Sequence, residues 1–428
     1  MQESMKQELY LDVQEKPEKP WQWAVLSFQH VFAMFGATVL VPILTGLSIS
    51  VALFASGLGT LIYIALTKAK VPVYLGSSFA YIAAIALASQ SFGPGAAFIG
   101  LMVVGVIYAL VSVAIRFAGK DWLDKLLPPV VIGPMIAIIG IGLAYVATGQ
   151  AGLSPNSGDS FFAFLASDVM NPIIALVSFG ATVGLAVFAK GFFKIVPIIG
   201  GIVIGYLFAL VVGYVDFSGM SGTPLLSFPE FQFIGTYAVD WRAVAMFAPI
   251  AFVTIAEHIG DHKVLGSITN KDFLKDPGLD KTLLGDGIAT FVSAALGGPA
   301  NTTYGENTGV VGMTKVASVW VIGGAAVIAM VLSFFSIFTA FVATIPTPVM
   351  GGVLILLFGL IAGNGLKVMI EAKVNLASIR NLIIVSTMLV IGLGQAEILL
   401  NEAASMTGMA LAAVVGVILN LILPEEKA

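Results

Sequence analysis

The stretch Gly297-Gly-Pro-Ala-Asn-Thr-Thr-Tyr-Gly-Glu306 interrupts an apolar region of the chain where a continuous helix would be expected. The stretch Pro72-Val-Tyr-Leu-Gly-Ser-Ser-Phe-Ala-Tyr81 has the same character. Proline interrupts helices, and threonine favours extended backbone. We therefore predict that each stretch contains a short extended strand that leads into a half-helix.

The rest of the chain is apolar enough to lie in a lipid bilayer. Of its 428 residues, 58% are hydrophobic and only 10% are charged, whereas about 25% are charged in soluble domains. Apolar runs such as 24–44 and 317–345 are long enough to span a membrane as helices, and no alternating pattern of barrel strands is visible. The prediction is an all-α polytopic membrane protein. The net charge of −4 gives no reason to expect a nucleic-acid partner, and we expect no cofactor.

Basic loops alternate along the chain with loops that contain almost no lysine or arginine. By the positive-inside rule, seven excursions between basic loops predict about fourteen segments in the cytoplasmic (inner) membrane, with both termini in the cytoplasm. The polar residues 1–20 are predicted to form a cytoplasmic tail without a cleavable signal peptide. The two interrupted stretches fall in segments three and ten. They lie seven segments apart, and because seven is an odd number, corresponding segments of two seven-segment halves would cross the membrane in opposite directions. The halves would then be inverted repeats, and paired interrupted segments in such halves indicate a transporter's binding site.

Ionisable side chains at membrane depth are few, and such groups are functional candidates by default. Segment eight contains Ala256-Glu-His-Ile-Gly-Asp-His262, and segment ten contains Glu306 directly after its extended stretch. Helical spacing places Glu257 and Asp261 on one face, with the two histidines of this stretch on an adjoining face. An alternative interpretation of Asp261 and His262 is that they mark the polar end of the segment.

His30 in segment one is interpreted as a hydrogen-bonded structural residue, with a direct role in carrying protons as the alternative. Asp286 at the start of segment nine is interpreted as an end-of-segment or network residue and not as a ligand.

The chemistry indicated is recognition of a small, planar, polar molecule. Two carboxylates accept hydrogen bonds from N–H groups, and backbone N–H groups at the starts of half-helices donate to carbonyl oxygens. Phe79 is placed to cover a flat ring. A low-dielectric cavity favours the neutral form of a carboxyl group, so Glu257 or Glu306 could hold a proton and release it on the other side of the membrane. This predicts coupling to a proton gradient.

The run Glu306-Asn-Thr-Gly309-Val-Val-Gly-Met-Thr314-Lys315 matches a known pattern of an acid or amide, Asn, any residue, Gly, four residues, Thr and a basic residue. On this motif the chain resembles the nucleobase-ascorbate transporter family, and within it the bacterial branch that carries uracil. The resemblance extends to further stretches: Gln29-His30, Phe32–Pro42, Gly76–Phe79, Ala256–His258 and Asn301–Glu306.

The resemblance implies a fold of two inverted seven-segment repeats and an elevator-like homodimer. A core domain would comprise 21–125 (segments 1–4) and 244–341 (segments 8–11). A gate domain would comprise 126–243 (segments 5–7) and 342–428 (segments 12–14 with a short cytoplasmic C-terminus). The partners implied are uracil or a related nucleobase, protons and the lipid bilayer.

The resemblance also implies residue roles. The two glutamates would bind the ring nitrogens of uracil, two backbone amides would bind its carbonyl oxygens, and other residues would line the pocket. The implied substrate-binding residues are Glu257, Glu306, Phe79, Gly305 (the last two through their amides), Tyr304, Ala37 and Ser78. The residues predicted for proton coupling are Glu257, Asp261, His262 and Glu306.

One position departs from the uracil pattern. Four residues after Glu257, the best-known uracil carrier of the family has histidine, whereas this chain has Asp261, as purine carriers often do. Glu306 is the uracil-branch residue where purine carriers usually have glutamine. A xanthine or urate permease of the same family therefore stays open as an alternative.

Two other classes are disfavoured. An anion exchanger or channel on a related fold would be expected to have a basic residue in place of Glu306. An intramembrane metalloenzyme is suggested by Glu257, His258 and His262, but zinc proteases place the glutamate between the histidines in His-Glu-x-x-His. No third ligand is evident, so we expect no metal and no enzymatic activity.

Overall fold

A computed structural model of the protein describes residues 9–153, 169–190, 197–394, 396–401 and 404–424. The first eight residues of the predicted N-terminal tail, the last four of the predicted C-terminus, and residues 154–168, 191–196, 395 and 402–403 of the predicted gate domain lie outside the described residues. The described part of the chain is predominantly helical, as predicted.

Seventeen helices are described, and several end where their sequence dictates. α1 begins at a proline, which is tolerated in the first turn because its missing N–H would have had no partner there. It ends at Thr45, and the next residue, Gly46, has a left-handed φ of 72° that suits glycine. In chain order the helices are α1 (Pro20–Thr45), α2 (Ile49–Leu66), α3 (Ile82–Phe92), α4 (Pro94–Ala118), α5 (Asp121–Leu126), α6 (Pro129–Gly142), α7 (Ala144–Gln150), α8 (Met170–Phe188), α9 (Pro197–Val211), α10 (Val244–Thr269), α11 (Leu279–Ala295), α12 (Gly305–Thr314), α13 (Val319–Leu332), α14 (Ser336–Ala343), α15 (Thr347–Glu371), α16 (Ile379–Leu393) and α17 (Gly408–Ile422).

Four short strands form two separate antiparallel pairs. β1 (Leu75–Ser77) pairs with β2 (Asn301–Thr303), and β3 (Glu397–Asn401) pairs with β4 (Ala404–Thr407). β1 and β2 lie in the two interrupted stretches, where extended backbone was predicted. A strand at membrane depth must have its backbone groups paired, and β1 and β2 satisfy each other.

The apolar segments agree with the predicted number. Seven helices of the described chain are long and apolar enough to cross a membrane, with α6 and α7 counted as one, and the broken pair α13–α14 forms an eighth. Four shorter apolar helices follow the same pattern: 79–92, α9, α16 and α17. With α11 and the strand-helix segment β2–α12, these account for the fourteen predicted segments.

The chain groups into two compact units by its internal contacts. The first unit comprises the described residues of 1–132, 227–334 and 374–428. Within it, α2 packs against α11 and α13, α4 packs against α10 and α11, and α17 packs against α10. α4 and α11 meet at Gly105 and Gly287, where a Cβ on either residue would collide with the backbone of the other helix. Small residues allow such close approach in membrane helices.

The second unit comprises the described residues of 133–226 and 335–373. Its centre is α15, which packs against α7, α8 and α9. The packing is close at Gly352, where a Cβ would collide with the backbone of Ala175. The predicted division into core and gate domains stays a prediction, and 374–428, which it places in the gate, groups here with the first unit.

An N-terminal strap, defined as residues 9–16, is bound to the start of α13. Leu11 forms a parallel bridge with Val316, and the N–H of Val319 donates to the carbonyl of Val13 at 2.9 Å. The side chain of Val13 is 2% exposed and packs in a cluster of buried apolar residues. Lys271 binds the Asp12 carboxylate at 2.7 Å. This part of the polar tail is therefore an integral piece of the first unit.

Candidate functional site

The strand pair β1–β2 positions the two half-helices of the first unit. Gly76 lies opposite Thr302, and all six strand residues are buried. The N–H of Ser78 donates to the carbonyl of Ala300 at 2.9 Å, which extends the ladder by one bond. A 3₁₀ turn (Phe79–Tyr81) and α3 follow β1, while α12 follows β2 directly. The predicted arrangement of strand and half-helix is thus present in both stretches.

Tyr304 packs over β1 and explains the glycine in that strand. A Cβ at Gly76 would collide with the Tyr304 ring. The Tyr304 hydroxyl donates to the carbonyl of Ser77 at 2.9 Å and accepts from Thr38 Oγ1 on α1 at 3.2 Å. Tyr304 therefore joins both strands to α1, the helix that also carries the buried Ala37.

Both half-helices begin without a capping side chain. Neither Ser78 nor Tyr304 makes a side-chain cap hydrogen bond, and Ser78 Oγ is buried with no hydrogen-bond partner among the described residues. The first N–H groups of a helix have no intrahelical acceptor and carry the positive end of the helix dipole. Phe79, the first residue of the 3₁₀ turn, is half-buried. The positive ends of both helix dipoles therefore lie directly after the paired strands.

Open space borders the first turns of α12. Gly305 and Gly309 are both exposed, and a Cβ at Gly309 would meet no atom within 4 Å. A Cβ at Gly305 would come no closer than 4.0 Å to Asp261 Oδ1. Residues 305 and 309 share a face of the helix because they are four positions apart. A small ligand would find room at this face.

Three carboxyl groups lie around the start of α12. Glu257 and Asp261 are on α10, Glu306 is in the first turn of α12, and all three are half-buried. Glu257 and Asp261 are one helical turn apart and therefore share a face of α10. Thr303 of β2 donates a hydrogen bond to Asp261 Oδ2 at 2.5 Å, which ties α10 to the strand pair. The arrangement offers carboxylate acceptors beside backbone donors.

His262 belongs to a buried network on the neighbouring face of α10. Its Nδ1 lies 2.7 Å from the carbonyl of His258, and its Nε2 lies 2.5 Å from the Tyr63 hydroxyl. A carbonyl only accepts, so Nδ1 carries a hydrogen and Nε2 of the neutral ring accepts from Tyr63. His262 is 1% exposed, and it lines a polar pocket together with Lys120, Lys263 and Lys271, so the alternative that it lies at the polar end of the segment stays open. Its predicted proton-coupling role stays a prediction.

His258 pairs with Asp286 of α11, a contact that was not predicted. His258 Nδ1 lies 2.9 Å from Asp286 Oδ2, and both side chains are fully buried. Asp286 is thus a network residue, in agreement with its interpretation from the sequence. The helical spacing that grouped the two histidines gave no signal for the partner helix.

His30 has the structural role that was expected. Asn307 Nδ2 donates to the carbonyl of His30 at 3.1 Å and lies 3.1 Å from its Nδ1. The contact joins α1 to α12 one residue after Glu306. Among the described residues, no three histidine or carboxylate side chains are grouped so that they could hold a metal ion.

These features define the protein as a polytopic membrane transporter with two interrupted segments at its candidate site. Residues 21–400 match the model of the permease family designated Xan_ur_permease, and the chain belongs to this family. The family resemblance predicted from the tenth-segment motif is thereby confirmed.

Several relatives are similar over nearly their whole length. A uracil permease of Bacillus caldolyticus is 49% identical, with 97% of this chain and 94% of the relative covered. A uracil permease of Bacillus subtilis (strain 168) is 45% identical, with 99% and 97% covered. A uracil permease of Escherichia coli (strain K12) is 42% identical, with 96% and 93% covered.

Solved structures of low sequence identity share the fold. The transmembrane domain of a cyanobacterium bicarbonate transporter, BicA, aligns with a TM-score of 0.62 at 16% identity and covers 95% of this chain and 99% of its own. The SLC26A9 structure aligns with a TM-score of 0.66 at 12% identity and covers 94% and 65%. Because the identities are low, these similarities support the fold class only.

Proposed function

We propose that the protein takes up uracil across the cytoplasmic membrane in symport with protons. The observation that carries this proposal is the similarity of 42–49% identity to uracil permeases over nearly the full chain. The carboxyl groups and uncapped half-helices of the site supply the hydrogen-bonding groups that such a substrate requires.

Uracil has two ring N–H donors and two carbonyl acceptors, all in one plane. In the proposed complex, Glu257 and Glu306 accept from the ring nitrogens, and the backbone amides of Phe79 and Gly305 donate to the carbonyl oxygens. Charge-assisted hydrogen bonds of this kind are about twice as strong as neutral ones. The Phe79 side chain and Tyr304 contribute to the pocket, together with Ala37 and Ser78. The unpartnered hydroxyl of Ser78 supports a ligand contact at that position.

The proposed proton carriers are the three carboxyl groups Glu257, Asp261 and Glu306. Like charges in a low-dielectric site disfavour full ionisation, so the site gains a proton more readily than an exposed carboxylate would. His262 is a weaker candidate because a second proton on its Nε2 would require the Tyr63 hydroxyl to change from donor to acceptor. We therefore assign coupling to the carboxyl groups.

The proposed transport cycle is elevator-like alternating access in a homodimer, with both termini in the cytoplasm. Support comes from the family, from the paired interrupted segments and from the alternation of basic loops. In this cycle the core domain carries the substrate across while the gate domain stays fixed.

A xanthine or urate permease is the alternative, and Asp261 is the residue that favours it. Asp261 is close to Gly305, so its side chain borders the proposed pocket. The carboxylate at Glu306 favours uracil, and the full-length relatives agree with it.

Competition for uptake distinguishes the two substrates. Purified protein in proteoliposomes is supplied with labelled uracil and an excess of unlabelled uracil, thymine, cytosine, xanthine or urate. We expect unlabelled uracil to compete and xanthine and urate to have little effect. Competition by xanthine but not by unlabelled uracil would refute the proposal.

A further inference from the structure

A groove of about 570 Å³ runs between α1, α2 and α13, wholly within the first unit, and none of the candidate site residues lines it. Its walls are apolar side chains such as Leu61, Ile64 and Val327. Glycine at position 323 leaves the middle of the groove open, because a Cβ there would make only ordinary contacts, at 3.7 Å to Ile64 and 4.0 Å to Leu61.

The polar groups in the groove's lining are already used within the protein. Ser27 Oγ donates to the carbonyl of Val321 at 2.9 Å, and the indole N–H of Trp23 donates to the carbonyl of Trp320 at 2.7 Å. The indole N–H of Trp320 donates to the carbonyl of Gln14 at 3.2 Å. The lining therefore offers a ligand apolar surface and no free side-chain donor, so a polar solute would lose its hydration there without replacement.

One end of the groove has the character of a membrane interface. Trp23 and Trp320 meet edge to face there, with ring centroids 6.3 Å apart. The Lys16 ammonium lies 3.8 Å from the centroid of the Trp320 ring. Lys19 and Lys68 directly precede two lining residues, Pro20 and Ala69. Tryptophan and lysine together mark the headgroup level of a bilayer.

We propose that this groove binds an anionic phospholipid, with one acyl chain between α1, α2 and α13 and the headgroup near Lys16, Lys19 and Lys68. The groove is apolar along its length and basic at its interfacial end, which is the pattern of a phospholipid and not of a soluble metabolite. A phospholipid is also preferred to a second copy of the chain, because the opening at Gly323 is a gap between helices that suits a flexible chain. The bound lipid covers the apolar groove that α1, α2 and α13 line and thereby stabilises the first unit.

Filling the groove tests the proposal. In Gly323→Leu, the leucine side chain would occupy the space of the acyl chain. Gly363→Leu on α15 is the matched control, because Gly363 is exposed and a Cβ added there would meet no atom within 4 Å. The proteins are purified in mild detergent and their bound lipids are measured by native mass spectrometry. We expect retained phosphatidylglycerol or cardiolipin in wild type and in Gly363→Leu, and a loss of about tenfold in Gly323→Leu.

A second measurement uses wild-type protein and does not depend on the folding of the groove variant. The protein is placed in phosphatidylcholine vesicles that contain a low fraction of a brominated lipid, which quenches nearby tryptophans. Brominated phosphatidylglycerol should quench tryptophan fluorescence more than the same fraction of brominated phosphatidylcholine does. Replacing Lys16, Lys19 and Lys68 with glutamine should remove this difference. Equal quenching by both lipids in wild type would overturn the proposal, as would unchanged lipid retention in Gly323→Leu. A change of oligomeric state in Gly323→Leu without loss of lipid would show instead that a second copy occupies the groove.

Discussion

Gly305 is the residue at which the half-helix α12 begins, and the absence of a side chain there leaves room beside Asp261. Gly305→Ala should raise the KM for uracil about tenfold, because one methyl group in a filled pocket costs on the order of 1–3 kcal/mol. The substitution should leave stability unchanged, since the nearest atom to the new Cβ is 4.0 Å away.

Transport kinetics and thermal unfolding of the purified protein measure the two effects separately. Gly359→Ala in α15 is the control, because its added Cβ would also meet no atom within 4 Å. Unaltered KM in Gly305→Ala would mean that the substrate does not approach the start of α12.

Asp261 and His262 are neighbours in the chain but have different surroundings, so their substitution should separate coupling from stability. Asp261→Asn removes a carboxyl group from the proposed proton site, and we expect the pH profile of uracil uptake to change. His262→Gln weakens the hydrogen bond with Tyr63, and we expect a lower melting temperature, by the equivalent of about 1–3 kcal/mol, with the pH profile retained. Profiles of initial uptake rate between acidic and neutral pH measure the first effect. A changed profile in His262→Gln alone would reverse the assignment.

At the scale of single residues, the sequence singles out the acids but not their partners. Glu257 and Glu306 stand out because a carboxyl group at membrane depth is rare, and Glu306 also follows an interrupted segment. The bond between His258 and Asp286 could not be predicted, because it joins two helices whose contact depends on tertiary packing. The same holds for the hydrogen bond between Tyr63 and His262.

The N-terminal strap is the element whose contribution is easiest to test. Val13→Ala removes the equivalent of two buried methylene groups, so it should cost about 2 kcal/mol of stability. Val25→Ala in α1 is the control, because Val25 is 58% exposed. Thermal unfolding in detergent should show a clearly lower melting temperature for the first variant only. Equal melting temperatures would show that the strap is not part of the stable first unit.

Elements were predicted best where backbone chemistry is decisive. Proline and glycine interrupt both stretches, and the second stretch also has a threonine pair, so the positions of β1 and β2 were predicted correctly. Backbone that leaves a helix in lipid must find partners for its N–H and C=O groups, and a second strand supplies them. The strap was read only as a polar tail, because its single buried valine among charged residues gives no periodic signal. Its binding depends on backbone hydrogen bonds to residues about 300 positions away.

The number of segments could be predicted from the alternation of basic loops, because the lysine and arginine content of each loop indicates its side of the membrane. Each change of side requires one crossing. Grouping of the segments into units depends on packing that no local pattern encodes. Segments at the C-terminal end illustrate this, since α17 packs against α10. Coupling of the units during transport is likewise a property of the whole molecule.

At the scale of the whole molecule, we predict that a proton gradient drives the accumulation of uracil. In proteoliposomes, an imposed inward proton gradient should drive accumulation of labelled uracil, because each substrate is proposed to enter with a proton. An uncoupler should abolish the accumulation, while an inward sodium gradient at equal pH should not replace the proton gradient. Accumulation driven by sodium alone would contradict the coupling proposed here.

Binding of uracil between Glu257 and Glu306 is the central claim, and titration calorimetry of the purified protein tests it most directly. Glu371→Gln is the control, because Glu371 is exposed and only pairs with Lys367 at 3.6 Å on the surface of α15. We predict that Glu257→Gln and Glu306→Gln each weaken uracil binding about 10- to 100-fold, since each loses a charge-assisted hydrogen bond, while Glu371→Gln binds as wild type does. Wild-type affinity in either site variant would contradict the claim.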